Sequence, residues 1–326
     1  MKKQILSSLI LAGTLVVATA QAEENQNANT STVKVTDVQK KDEQNKGDLD
    51  QEITNAKMRA ESGSKSKLSI AMDLTYNGGN LEEPFGPVRP NYAGVSGADS
   101  NTSLSADIAV AYRLSARDSL RFGAGANIDT PLQNNTSEST NQDGYRKASV
   151  STPYVSWGRS FRAMNLQQSV SVGGYYYTTP YMTEIYKANS SLSASWTVLG
   201  EIPNTNWQPG LSLSLSYVFF DDSANAGDTA SSGGAGRSDY SIGLFPFIEY
   251  AFNDMFSFRT VFRPSSFDHY RNDDATTFDH NMWTQSVGLG IAMTRDVYLY
   301  PNLQFAPEYA QADTTNVGIS ATINMF

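Results

Sequence analysis

The residues with the most reactive side chains are few. His269 and His280 are the only histidines. They stand near Asp268, Asp279 and Asn281, the kind of company that a serine hydrolase keeps: a base and a side chain that orients it. Neither histidine is followed two residues later by a serine on a strand, so no catalytic residue is assigned and the chain is read as a non-enzyme. Acids gather at Asp221, Asp222 and Asp228, and again at Asp268, Asp273, Asp274 and Asp279. Hard oxygen ligands of this type could take Ca²⁺. Their spacing matches no calcium loop, so the last four remain loop candidates only, and no metal or other cofactor is expected. The run Ser232-Gly233-Gly234-Ala235-Gly236 does not lie between a strand and a helix, as a phosphate cradle would. The absence of cysteine excludes a thiol nucleophile, an iron–sulfur cluster, a Cys-ligated zinc and disulfides.

The 326 residues carry 24 Lys+Arg against 33 Asp+Glu, a net charge of −9 that argues against a nucleic-acid partner. The N-terminus has a basic start, Met1-Lys2-Lys3, an apolar run from Ile5 to Ala18, and the small-x-small pattern Ala20-Gln21-Ala22. This predicts a secretory signal peptide over 1–22. The apolar run is too short to cross ~30 Å of hydrocarbon as a helix. Residues 23–65 are polar and lack aromatics, so a disordered periplasmic leader is expected. A short helix over 48–60 would put Leu49, Ile53, Ala56 and Ala60 on one face. The leader either stays flexible or enters the mouth of the domain that follows and restricts it.

From Lys67 onwards the texture changes. Leu68, Ile70, Met72, Leu74 and Tyr76 alternate with polar or small residues, and similar rows recur to the end of the chain. A period of two marks strands with one apolar and one polar face. Twelve strands are predicted, near 67–76, 102–114, 119–128, 146–157, 166–177, 188–199, 209–219, 239–250, 256–263, 282–293, 297–305 and 315–326. Short turns alternate with long polar segments. Ala116-Arg117-Asp118, Phe252-Asn253-Asp254 and Thr294-Arg295-Asp296 are read as three-residue hairpin loops, with further short turns near 158–165 and 200–208. The polar faces are mostly Ser, Gly, Thr and Asn rather than Lys and Glu, which argues against a soluble sandwich. Tyr76, Tyr112, Tyr217, Phe219, Tyr240, Tyr250 and Phe256 collect near strand ends, as aromatic girdles do.

A Sec-type leader, alternating strands over 66–326 and a terminal Phe326 resemble a Gram-negative outer-membrane β-barrel, porin-like and of about twelve strands. The resemblance implies an all-β, antiparallel, up-and-down transmembrane barrel in the cell outer membrane with periplasmic termini. It implies contact with outer-membrane lipid, the Sec translocon and the barrel-assembly machinery, with Phe326 as the assembly signal. Asn324 departs from the family pattern, because an apolar residue is usual there; a late bulge in the last strand is expected to account for it.

The hairpin loops predict cross-strand partners. Around the first, Tyr112 meets Phe122, Arg113 meets Arg121 and Asp107 meets Asn127. Around the second, Glu249 meets Ser257, Phe247 meets Arg259 and Gly243 meets Arg263. Around the third, Gly290 lies beside Tyr300 and Ala292 beside Tyr298. The lumen candidates are Arg113, Arg121, Arg259 and Arg263 with Asp73, Asp107 and Glu249. They either pair with one another and stiffen a narrow barrel or form a basic stripe for anionic solutes; the stripe follows the arginine rows of narrow porins by resemblance. The inner row Ser212, Ser214 and Ser216 leaves room for water. The expected function is a passive channel for small hydrophilic, anionic solutes included. The alternative is a structural or adhesin-like barrel acting through its external loops.

Overall fold

The computed structural model describes residues 48–91, 99–133, 148–221, 237–271 and 276–326. The expected signal peptide, the leader up to residue 47, the run Ser232–Gly236 and Asp222, Asp228, Asp273 and Asp274 lie outside these residues. In the described part, alternation becomes strand wherever it was predicted. The strands are β1 (Leu68–Asn80), β2 (Ser103–Arg113), β3 (Asp118–Asp129), β4 (Ala148–Ala163), β5 (Leu166–Tyr176), β6 (Ala188–Leu199), β7 (Trp207–Phe220) and β8 (Ser238–Ala251). They continue with β9 (Phe256–Arg263, resuming as Ser265–Tyr270), β10 (Thr284–Ala292), β11 (Val297–Phe305) and β12 (Asn316–Met325).

Each strand pairs antiparallel with its neighbours in sequence, and β12 pairs back onto β1, so the ladder closes. Closure removes the sheet edges, whose backbone groups would otherwise be unpaired in a lipid environment. The one interruption in β9 falls at Pro264, which cannot donate to the ladder. The register against β8 slips by one residue across it, from Phe247↔Val261 to Leu244↔Ser265.

The apolar row of each strand points outward. On β2, Ile108 and Val110 are 45% and 50% exposed, while the intervening Ala109 and Ala111 are 3% and 4% exposed. A soluble protein would bury the first pair. Trp207, Tyr250 and Phe252 cluster at the turn end of the outer surface, and Tyr217, Phe219 and Tyr240 at the loop end. Trp207 and Tyr217 share β7 ten residues apart. At ~3.3 Å per residue and a tilt of ~40°, the two rings are separated by ~25 Å along the barrel axis, the height of an outer-membrane apolar band.

Several local expectations are corrected. The first hairpin loop is Ser115–Arg117, one residue earlier than predicted, because Ser115 caps the turn: its Oγ accepts from the backbone N–H groups of Arg117 and Asp118. The partners are therefore Tyr112↔Leu120, Arg113↔Ser119, Ala111↔Arg121, Asp107↔Gly125 and Ser105↔Asn127. The second loop is moved one residue later by Asn253, whose Oδ1 accepts from the N–H groups of Met255 and Phe256. Glu249 then faces Arg259, Phe247 faces Val261 and Gly243 faces Ser266. The third hairpin has the predicted register, with Ala292↔Tyr298. A slip of two residues keeps every side chain on its face, so inner and outer rows stand as read. The turn placed at 158–165 is only Met164-Asn165, both at positive φ (53° and 61°), the two-residue I′ geometry that suits the twist of a hairpin. Strand β4 is correspondingly longer.

The last strand has no late bulge. Pairing of β12 with β1 runs unbroken from Ile70↔Met325 to Asn77↔Gly318, and the irregularity lies beyond that, at the loop end. Phe326 leaves the strand through a positive φ of 80° and is 79% exposed.

Candidate functional site

The lumen is an extended polar surface enclosed by the described strands. Register alone assigns its wall. On β5, β6 and β7 the inward positions are Ser169↔Thr197↔Ser212, Ser171↔Ser195↔Ser214 and Gly173↔Ser193↔Ser216. Ser171 and Ser195 share a hydrogen bond of 2.8 Å, and Thr197 and Ser212 one of 2.9 Å. This arc of short hydroxyl side chains is the Ser-rich row read from the sequence, widened to three strands. Aromatic residues occupy other arcs and the loop end of β5. Tyr154 and Tyr175 stack at 5.4 Å on β4 and β5, and Tyr298 and Tyr300 are buried on β11.

At the turn end the wall changes. Leu199 and Phe247 interrupt the polar inner rows and are 1% and 4% exposed. They are covered by Leu49, Ile53 and Met58 of the chain segment that precedes β1. That segment forms two short helices, α1 (Leu49–Glu52) and α2 (Ala56–Glu61). The break between them at Ile53–Asn55 arises because Asn55 is recruited as the α2 N-cap, its Oδ1 accepting from Met58 N at 3.1 Å. A second contact joins Ala60 to Tyr298 and Tyr300, with Ala56 and Ala292 beside them. Residues 48–66 thus lie inside the turn end of the barrel.

Polar groups hold the segment from several sides. Asn55 is the hub. Its backbone N–H donates to Gln167 Oε1 at 2.9 Å, and its Nδ2 donates to Gln208 Oε1 at 2.9 Å and to Glu249 Oε2 at 3.1 Å. Four turn-end arginines reach inward. Arg117 forks onto Glu52 (2.5 and 3.1 Å). Arg162 donates to the carbonyl of Glu52 at 2.7 Å and pairs with Glu201 at 2.9 Å. Arg295 holds Asp50 at 2.9 Å and the carbonyl of Gly63 at 2.6 Å. Arg113 donates to the carbonyl of Ser64. Asn324 Nδ2 donates to the carbonyl of Ala60 at 2.8 Å, which gives the physical reason for a polar residue at that place in the last strand.

Three carboxylates in this layer lie outside the strands and are shifted, Glu61 being brought down by the neighbouring Lys57 against the effect of burial. Burial pushes Asp50 up, but the hydrogen bond from Lys65 and the charge of Arg295 more than reverse it, so its carboxyl ends below its ordinary 3.8. Glu201 is raised by burial and then brought below its ordinary value by Arg162, Thr54 and Gln167. The Arg117 guanidinium is held above its usual range, chiefly by its hydrogen bond to Glu52.

The seven lumen candidates are distributed as follows. Arg121 pairs with Asp73 at 2.9 Å and donates to the carbonyl of Glu61 at 2.9 Å. Arg259 pairs with Glu249 at 2.9 Å, both buried, and lies over the Phe247 ring. Arg113 and Arg121 are not opposed, and Arg113 serves carbonyls rather than acids. Arg263 donates to Ser286 at 3.5 Å. Asp107 stands opposite Asp73 across β1 and β2 and is exposed to the lumen. Asn55, Gln167, Glu201, Arg117, Arg162 and Arg295 were not singled out in the sequence. The available signal was Leu199 and Phe247, apolar residues in otherwise polar inner rows, which require an apolar cover.

The histidines are on strands, not in a loop: His269 lies in the second half of β9, and His280 in the short strand Asp279–His280. His269 Nδ1 lies 2.5 Å from Asp239 Oδ1 and His280 Nε2 lies 2.5 Å from the Pro264 carbonyl. Asp268 accepts from Ser241 at 2.5 Å and Asn281 at 2.9 Å. Among the described residues no group of three or more His, Asp or Glu could hold a metal ion.

The closed ladder, the outward apolar belt with aromatic rings at both ends and the polar interior define a transmembrane β-barrel of the outer-membrane type, with twelve strands. No protein-family model and no curated protein matches the chain. Solved structures that it is similar to are outer-membrane proteins. An outer membrane channel from Pseudomonas putida F1 aligns with TM-score 0.48 and 9% identity, covering 81% of this chain and 98% of that one. The NanC porin aligns with TM-score 0.40 and 9% identity, over 79% and 98%. Outer membrane phospholipase A from Escherichia coli aligns with TM-score 0.35 and 14% identity, over 79% and 92%.

Proposed function

We propose that this protein is an outer-membrane channel for passive diffusion of small hydrophilic solutes, narrowed at its turn end by residues 48–66. The observation that carries this reading is the arc of Ser and Thr side chains on β5–β7. A barrel kept only as a packed scaffold would fill that arc with larger residues, as small barrels do. The turn end is then the periplasmic side, reached after export through the Sec translocon and insertion by the barrel-assembly machinery. The seven charged candidates set the field along the path. Arg121 and Arg259 have acidic partners, so any preference for anionic solutes rests less on them than on Arg113, which keeps its charge among carbonyls.

Purified protein in a planar lipid bilayer is expected to give discrete conductance steps. Properly folded barrels that give none would overturn the channel reading. The docked segment at the turn end favours the second reading, a structural or surface-contact barrel that acts through its external loops. In that case deleting loop residues 81–99 abolishes surface binding and conductance is not the function lost.

A further inference from the structure

Arg59, in the last turn of α2, has no hydrogen bond or ion pair for its guanidinium among the described residues, and its Nε is buried without a partner. A buried N–H without an acceptor is unfavourable, although the outer nitrogens of this half-buried side chain reach the surface. Arg59 lines a recess of about 220 Å³ at the turn-end mouth, together with Ala56, Asp254, Ala292, Thr294 and Arg295.

The rest of the lining is rich in donors. Arg295 spends Nε on Asp50 and Nη1 on Gly63 and Asp296, which leaves Nη2 with only a 3.4 Å contact to Ser62 Oγ. Thr294 Oγ1 accepts from Asp296 N at 3.2 Å, so its hydroxyl proton remains available. The one acid of the lining, Asp254, is in the exposed β8–β9 turn. Arg295 already pairs with Asp50 and Asp296, so the donors left to meet a ligand are the Arg59 guanidinium, one Arg295 nitrogen and the Thr294 hydroxyl, and guanidinium forks match oxyanions in geometry.

We propose that this recess binds a small oxyanion, of phosphate or carboxylate type, between Arg59 of the docked segment and Arg295 and Thr294 of the β10–β11 turn. Its two halves belong to different parts of the chain. A bound anion therefore joins the segment to the barrel wall and favours the docked state by mass action. The binding claim stands apart from the channel reading, and its test uses no conductance.

Full-length protein in detergent is titrated calorimetrically with inorganic phosphate and, separately, with acetate. At least one is expected to bind saturably; phosphate alone, acetate alone or both identifies the oxyanion type. Arg59→Gln should weaken that binding tenfold or more, and Thr294→Val at least threefold. Arg159→Gln, which removes an arginine paired with Asp118 on the outer row, should leave it unchanged. Because the chain has no cysteine, a spin label at Gln51→Cys reports docking, and its immobilised fraction should rise with the binding anion. The proposal is overturned if neither anion saturates, or if Arg59→Gln binds as the unaltered protein does.

Discussion

Replacing Asn55 with alanine should release the docked segment. Asn55 is 2% exposed and performs two tasks at once. It caps α2 through Met58 N, a role whose loss costs about 1 kcal/mol. It also supplies the amide protons that satisfy Gln208 Oε1 and Glu249 Oε2. Taking them away leaves one buried and one half-buried acceptor short of a donor, at roughly 1 kcal/mol each. Glu249 retains Arg259, so the lower end of that range applies. The sum is about 3 kcal/mol, or roughly a 150-fold shift toward the undocked state at ~1.4 kcal/mol per factor of ten. The assay uses the cysteine-free background. Leu49→Cys places a thiol at a position that is 3% exposed and packed under Leu199 and Phe247. Its rate of modification by a membrane-impermeant reagent measures the undocked population. Adding Asn55→Ala to Leu49→Cys should accelerate the reaction about a hundredfold, whereas adding Arg159→Ala should not. A change of less than about threefold would refute the claim that Asn55 is the hub.

Three further outcomes are expected. Gly210→Ala should speed the same reaction, because a Cβ there would fall 2.2 Å from the Phe247 ring, whereas Gly158→Ala, with no atom nearer than 3.8 Å, should not; overpacking of this kind costs about 1–3 kcal/mol. Docking should weaken on acidification: Asp50 and Glu201 are both lowered in the docked state, so their contribution is complete above the ordinary carboxylate range and is lost as pH falls below about 4.5 for Glu201 and about 3.8 for Asp50, through the docked values. The spin label at residue 51 would show this as rising mobility, and constant mobility from pH 7 to pH 3 would contradict it. If the channel conducts, Arg113→Ala with Arg121→Ala should shift selectivity toward cations, and an unchanged reversal potential would contradict a role for these side chains.

The strands were legible because a membrane barrel writes its environment into a period of two. Ile108 and Val110 face lipid, Ala109 and Ala111 face inward, and no tertiary detail is needed to see it. Faces survived even where the register did not. The two misplaced hairpins were shifted by single side chains, Ser115 and Asn253, whose capping of backbone N–H groups competes with the turn expected from Asp118 and Asp254. Charge pairing was only half legible. Arg259 meets Glu249 because the corrected register opposes them, while Arg113 and Arg121 were placed opposite each other by the register error. That the leader enters the barrel mouth with Leu49, Ile53, Ala56 and Ala60 on one face was legible as one of two alternatives, but the polar network that holds it there was not. It joins residues more than a hundred positions apart, such as Asn55 with Gln167 and Gln208, and depends on a segment whose composition reads as solvated leader. Asn324 was seen as a departure from pattern, but its cause lies across the lumen at the Ala60 carbonyl.

The most direct test of the central claim is single-channel recording from folded wild-type protein and from Asn55→Ala in the same bilayer. Discrete steps in the wild type, with a larger or longer-lived open level in Asn55→Ala, are the predicted result. Absence of steps from both proteins, with the heat-modifiable barrel band intact, would contradict it.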